Sequence, residues 1–279
     1  MNQNCQEVTR EQILADRRFR HITVVKDRKA LNEVICRDLA DKIKENNKSG
    51  KNTTAILPVS PLDYSDLAKI CNDENISLSN FCIINMDDML DDNMKRITSG
   101  HSLSFTAFMD RTFYNLIRKD LNMPVENRIM PDPDDLGKVQ RKIDEMGGVD
   151  VCYAGIGVSG HVAFNEPCEP GELQDGINFI DLPTRVIKLT EASRTQLALG
   201  SGGDLWSVQR YAITIGMKEL MQAKEMHMMG LRSWHPGPFR RAMYGEITPR
   251  YPASYLQRHP NLTATLIEHV VNTPELLPE

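Results

Sequence analysis

One stretch constrains this chain more than any other. A short apolar run, Gly148-Val149-Asp150-Val151-Cys152, leads into Tyr153-Ala154-Gly155-Ile156-Gly157-Val158-Ser159-Gly160-His161-Val162-Ala163-Phe164-Asn165-Glu166-Pro167. The run reads as a buried strand, and the three glycines after it let the backbone turn sharply and approach a ligand closely. The turn delivers His161, and then Glu166, beyond the end of that strand. In α/β proteins ligands bind in the crevice outside the carboxyl ends of the strands. The loop therefore reads as half of a site, and the rest of the chain must supply the other half. Gly155-x-Gly157-x-x-Gly160 also fits a dinucleotide fingerprint. That reading fails here, because the loop soon reaches Pro167 and no acidic residue closes a following strand at the required distance. Metal binding is the weaker alternative for His161, since no second histidine lies nearby.

The surrounding pattern alternates strand and helix, which argues an α/β fold with a mostly parallel sheet. Strands are expected at 21–25, 53–57, 81–86, 185–189, 211–215, 225–230 and 263–267, with a short edge strand at 128–131. Helices are expected at 28–46, where Asp27 is the N-cap, and at 64–73, 105–120, 136–146, 191–199, 217–222 and 239–244. Residues 11–20 are charged and read as a helical leading arm. The organisation expected is an arm over 1–20 and a single domain over 21–279, because no break in composition marks a second domain. Met226, Met228 and Met229 read as core packing.

The strand at 81–86 ends in Asp87-Asp88, with Asp91 and Asp92 following. Acidic pairs in loops are commonly solvated turns or caps. Here the preceding strand is apolar on both faces, so its carboxyl end should reach the sheet crevice. Neighbouring like charges raise carboxyl pKa values, and a raised carboxyl can move protons near neutral pH. Asp87 is thus the candidate base, with Asp88 beside it as a candidate substrate contact.

Composition excludes several classes. A net charge of −5 gives no general attraction to nucleic acid or an anionic membrane surface. No apolar run is long enough to span a bilayer, and Met1-Asn2-Gln3-Asn4-Cys5-Gln6-Glu7 lacks a signal core. The expected compartment is the cytoplasm. The six cysteines form neither a CxxC pair nor a zinc-finger spacing and read as reduced thiols. Nothing around Cys168 implies a catalytic partner.

Asn85-Met86-Asp87-Asp88 resembles the Asn-Met-Asp-Glu motif of the glucosamine-6-phosphate deaminase/isomerase family. The long His161 loop is similar to that family's Gly-(Val/Ile)-Gly-x-Asp-Gly-His-Ile-Ala-Phe-Asn-Glu-Pro. Further likenesses lie at His101–Met109, Thr184-Arg185, Ala212–Gly216 and Leu256–Pro260, so the resemblance covers nearly the whole chain. The same loop separates the chain from the related 6-phosphogluconolactonases, which continue with Thr-Ala-Ser-Leu-Phe-Pro. The resemblance implies a modified Rossmann-like three-layer fold with a mostly parallel central sheet, and a homo-oligomer. It implies conversion of an amino-sugar 6-phosphate to a ketose phosphate and ammonia, with no redox cofactor and no metal. It also implies roles: Asp87 as the base between C2 and C1 of the opened sugar, His161 in ring opening, and Glu166 orienting His161. Ser60, Asp88, Gly157, Ser159, Gly160 and Arg232 fall where the substrate is expected to bind.

The departures are as informative. Ser159 stands where the family has an aspartate. The family's Leu-Pro-Thr-Gly-Gly-Thr-Pro is here Leu57-Pro58-Val59-Ser60-Pro61-Leu62-Asp63, without the glycines whose N–H groups would cradle a phosphate and with Asp63 as an added negative charge. The family's phosphate arginine falls near Leu199, and its lysine falls within Arg232-Ser233-Trp234-His235, where Arg232, His235, Arg240 and Arg241 are the available replacements. The expectation is an enzyme of this family with altered substrate choice. A catalytically lapsed sugar-phosphate-binding regulator and a sugar-lactone hydrolase are the two alternatives.

Overall fold

The central strands are apolar at successive positions, not at alternate ones, because both of their faces are covered. Ala55 and Leu57 face one hydrophobic core while Ile56 between them faces the other; Phe81 and Ile83 alternate with Cys82 and Ile84 in the same way. The computed structural model describes residues 4–173 and 176–275. Residues 1–3 of the expected arm and 276–279 at the chain end lie outside the described residues.

In chain order the elements are α1 (Arg10–Leu14), β1 (Phe19–Val25), α2 (Arg28–Lys48), β2 (Thr53–Leu57), α3 (Tyr64–Asp73), β3 (Phe81–Asn85) and β4 (Asp87–Leu90). There follow α4 (Phe105–Met109), β5 (Arg128–Ile129), α5 (Lys138–Met146), β6 (Val149–Ala154), β7 (Arg185–Lys188), α6 (Glu191–Gly200) and β8 (Tyr211–Thr214). The chain closes with α7 (Met217–Leu220), β9 (Ala223–Gly230), α8 (Pro236–Tyr244), β10 (Leu262–Ile267) and α9 (Glu268–Val271). Asp27 caps α2 as expected, its side chain accepting from Ala30 N.

The seven-stranded sheet has the order β1-β10-β9-β6-β2-β3-β5, and every pairing in it is parallel. Leu31, Ile35, Leu39 and Ile43 of α2 and Leu67 of α3 fill the core on one face. Val139 and Ile143 of α5, Phe239 and Met243 of α8 and Val270 of α9 fill the other. The result is the three-layer α/β, Rossmann-like arrangement, with the methionines of β9 divided between the two cores. The described part of the leading segment packs against this body. Ile13 is fully buried, and the Arg240 guanidinium donates to Val8 O at 2.8 Å.

Three departures from the sequence expectation matter for the site. First, Asp87-Asp88 do not sit in a loop. The chain bends at Met86, whose N–H donates to Leu57 O and whose carbonyl accepts from Ile215 N. It then continues as β4, in a separate three-stranded antiparallel sheet with the order β4-β8-β7. Second, the strands at 185–189 and 211–215 belong to that small sheet and not to the parallel one. Third, the helix expected over 105–120 is only α4 followed by a π-helical turn at Asp110–Tyr114. Side chains take over its last carbonyls: Asn122 Nδ2 donates to Tyr114 O at 2.8 Å and Asn72 Nδ2 to Leu116 O at 2.8 Å.

Candidate active site

Four neighbouring strands of the parallel sheet, β9, β6, β2 and β3, end at one cavity of about 250 Å³. Leu231 and Arg232 enter it after β9, Gly155, Gly157 and His161 after β6, Pro58 to Pro61 after β2, and Asp87 after β3. Ser102 to Phe105 and Phe108 close one side, and Gln196, Leu197, Gly200 and Ser201 of α6 and its C-terminal edge close another. The size suits a monosaccharide-sized ligand, at the small end of ligand sites.

The glycine loop folds by local bonds. Gly157 N donates to His161 O and Gly160 N to Gly157 O, each at 2.9 Å. Gly160 has φ +88°, a left-handed conformation open to glycine, and a Cβ there would strike the Tyr251 ring. Gly157 is needed for a different reason: a Cβ there would collide with Nε2 of His161. Asn165 then pins the loop, donating to Val162 O and Ile215 O while accepting from Arg185.

His161 is buried, and its Nδ1 is held from behind. Ser159 Oγ lies at 2.9 Å, Ser193 Oγ at 2.8 Å and Glu166 Oε2 at 3.6 Å. Ser159 Oγ also donates to Glu166 Oε2 at 3.1 Å. A hydroxyl has one proton, so with that proton given to Glu166, Ser159 must accept from His161 Nδ1–H. In the neutral ring this puts the proton on Nδ1 and leaves the Nε2 lone pair toward Gly157 and the cavity. Thr190 completes the cradle: its N–H donates to Glu166 Oε1 and its Oγ1 to Oε2, each at 3.2 Å. Burial works against the charge of Glu166. Its hydrogen bonding and charge interaction with His161, helped by Ser193 and Thr190, outweigh that and hold the carboxyl below its usual range.

Asp87 faces the cavity without a cradle. It accepts no hydrogen bond from any described residue, and burial, followed by the nearby charge of Asp88, pushes its pKa up to about 8. The cavity thus holds a proton-carrying carboxyl and an imidazole of fixed tautomer. Among the described residues, the only other charged side chain that lines it is Arg232. His235 also lines it, but burial and the neighbouring Arg232 push its pKa down to about 3, so it is neutral. Its Nδ1 accepts from Leu231 N at 3.0 Å.

The structure sorts the expected site residues. Asp87, His161, Gly157, Ser60 and Arg232 meet at the cavity. Glu166 and Ser159 stand behind His161 and do not line it. Asp88, expected to contact substrate, is turned the other way. Consecutive residues of a strand point to opposite faces, so Asp88 is fully buried on the far side. There it pairs with Arg96 Nε at 2.9 Å and accepts from Thr106 Oγ1 at 2.9 Å. Gly160 also misses the cavity, and its carbonyl accepts from Ala253 N. Asp63 adds no charge to the cavity, because its carboxylate caps α3 by accepting from Ser65 N at 3.0 Å. Arg240 is consumed by the carbonyls of Val8, Pro236, Val270 and Val271. Ser193 and Thr190 were not foreseen. Thr190-x-x-Ser193 has the form of an ordinary helix cap and does cap α6, so its spacing carries no sign of the second task.

Asp38, Glu225 and His227 converge on another part of the sheet. Lys42 already pairs with both carboxylates there, at 3.0 and 3.2 Å. Among the described residues, no helix is long and apolar enough to cross a membrane.

No protein-family model matches the chain. Among curated proteins it is 33% identical over 166 residues to a glucosamine-6-phosphate deaminase of Lysinibacillus sphaericus, covering 57% of this chain and 64% of that protein. It is 28% identical over 238 residues to the glucosamine-6-phosphate deaminase of Thermoanaerobacter pseudethanolicus, covering 83% of this chain and 87% of that one. Among solved structures, a monomeric glucosamine-6-phosphate deaminase superposes with a TM-score of 0.74 at 23% identity, covering 90% of this chain and 98% of that one. A 6-phosphogluconolactonase from Leishmania guyanensis superposes with a TM-score of 0.60 at 12% identity, covering 90% and 97%. These two structures speak to the fold alone.

Proposed function

We propose that the chain is a divergent member of the glucosamine-6-phosphate deaminase family and that it deaminates and isomerises an amino-sugar phosphate. The observation that carries this reading is that Asp87, its pKa raised to about 8, lines the same cavity as His161. His161 Nε2 takes the proton of the C1 hydroxyl and hands it to the ring oxygen, which opens the sugar to its aldehyde. Asp87 takes the proton from C2 and returns it at C1, turning the aldose amine into a ketimine. Water then adds to that imine, and ammonia leaves from a ketose phosphate. Each step needs a proton carrier at a set position, which is general acid–base work on a rigid scaffold. Ser159 takes the structural part of the missing aspartate: it relays the hydrogen bond from His161 Nδ1 to Glu166 without adding charge.

Altered substrate choice is part of the proposal. The loop Pro58–Pro61 has no glycines, and Leu199 is 78% exposed where the family has an arginine. A homo-oligomer and a cytoplasmic location belong to the same reading, and light scattering tests the first. A Glu166 remote from the site would favour the lactone-hydrolase alternative. Its carboxylate lies 3.6 Å from His161 Nδ1, which favours the deaminase.

The test is ammonia release from glucosamine 6-phosphate, galactosamine 6-phosphate and the unphosphorylated amino sugars. Release from at least one phosphorylated sugar is expected. No ammonia from any, with a thermal shift from one, would replace the enzyme by a binder.

A further inference from the structure

The polar groups at the β2 and β9 end of the cavity are donors. Arg232 lines the cavity, and it has no hydrogen-bond or ion-pair partner among the described residues. Ser60 lines it as well, and its hydroxyl is likewise unpartnered. The N–H groups of Val59 and Ser60 donate to no acceptor among the described residues. A second arginine arrives from outside the lining. Arg28, the first residue of α2, donates from Nη2 to Pro61 O at 2.7 Å, on the same loop. It makes no ion pair among the described residues either. The two guanidiniums are close enough that burial first, and then the charge of Arg28, depress the basicity of Arg232. Two like charges held together without a counter-charge cost free energy that an anion between them would recover. Two acids at the starts of the adjoining helices are engaged: Asp27 caps α2 at Ala30 N, and Asp63 caps α3.

We propose that Arg28 and Arg232 are two arms of a clamp for the substrate's phosphate, doing the work of the absent glycine cradle. This rests on the sugar-phosphate reading above. The chemistry fits, since a guanidinium can hold two phosphate oxygens at once while a backbone cradle needs free N–H groups. The placement fits too. Arg232 follows β9 and Asp87 follows β3, three strand spacings apart, or about 14 Å before the side chains reach inward. A sugar phosphate lying along the sheet edge would set its anion at the arginines and its C1–C2 bond by Asp87. Arg28 is the new element, because nothing in the glycine-loop pattern calls for a cation at the start of α2.

Calorimetric titration of the whole protein with inorganic phosphate tests the clamp without requiring turnover. Arg28→Gln and Arg232→Gln should each weaken phosphate binding by about tenfold or more, as expected for losing a charge-assisted hydrogen bond. Arg17→Gln, which removes an exposed charge elsewhere, should leave binding unchanged. If the protein turns over a sugar phosphate, Arg28→Gln should raise KM by a similar factor and leave kcat nearly unchanged. Phosphate binding to Arg28→Gln as tight as to the unmodified protein would overturn the clamp, as would no phosphate binding at all. A loss of thermal stability with unchanged phosphate affinity would also overturn it, reducing Arg28 to a tie on the Pro61 carbonyl. Failure of the deaminase reading looks different: no ammonia from any amino-sugar phosphate while phosphate still binds in an Arg28-dependent way.

Discussion

The two ends of the cavity are built on opposite plans. At the β6 end His161 is over-determined: Ser159, Ser193 and Glu166 converge on one ring nitrogen, and Thr190 fixes the carboxylate behind them. At the β2 and β9 end Ser60 and Arg232 have donors to offer and no acceptors. The first arrangement is finished before any ligand arrives, as a group that must hold a tautomer and an orientation requires. The second is completed only by an anion. Asp87 stands apart from both plans, as a buried carboxyl with a raised pKa and no partner among the described residues.

The sharpest break of this contrast is Asp87→Asn. Ammonia release should fall by about a thousandfold, within the range for loss of a general acid–base. Stability should move the other way. The folded pKa of Asp87 is raised from 3.8 to about 8, so the folded state holds a proton that the unfolded state releases. That contribution to stability is complete below pH 3.8 and is lost as pH rises toward 8. Asparagine removes the dependence, so thermal unfolding at pH 8 should show the variant more stable, by about 2–4 kcal/mol.

Gly157→Ala tests the finished end. Its Cβ would occupy the space of His161 Nε2. Displacing the imidazole should cut kcat by about a hundredfold, with a stability loss of about 1–3 kcal/mol from overpacking. Near-native kcat in this variant would mean that His161 need not sit where it is seen. Ser159→Ala is gentler. It removes the relay but leaves Ser193 and Glu166, and kcat should fall about tenfold. An unchanged kcat would make Ser159 packing only.

Asp88→Asn carries the smallest expected effect and touches neither end directly. Its charge is one of the two causes that raise Asp87. Removing it should move the rising limb of the pH–activity profile below pH 8 by about one unit, with kcat at the plateau nearly unchanged. A limb that stays in place would leave burial alone responsible.

Much of the parallel sheet was legible in the sequence, and for a physical reason. Strands covered on both faces are apolar at successive positions, so Ala55-Ile56-Leu57 and Phe81-Cys82-Ile83-Ile84 stand out. The antiparallel sheet was not legible. Strands of four residues carry too little pattern to name a partner or its direction, so Asp87 and Asp88 read as the end of one strand when they begin another. That error is why Asp88 was expected at the substrate. His161, Glu166 and Asp87 were legible because a glycine turn and an acid pair at strand ends are unusual. Ser193 and Thr190 were not, because a helix cap looks the same whether or not its hydroxyls also serve a histidine. Arg28 was hidden for a related reason: a basic residue at a helix start is ordinary until the loop it touches is known.

The central claim is that Asp87 carries the proton between C2 and C1. Turnover of an amino-sugar phosphate in heavy water, followed by NMR, tests it most directly. The account predicts ammonia and a ketose phosphate whose C1 carries deuterium to the extent that the proton on Asp87 exchanges with solvent before its return, and neither of these from Asp87→Asn. Undiminished deuterium incorporation by Asp87→Asn would contradict it.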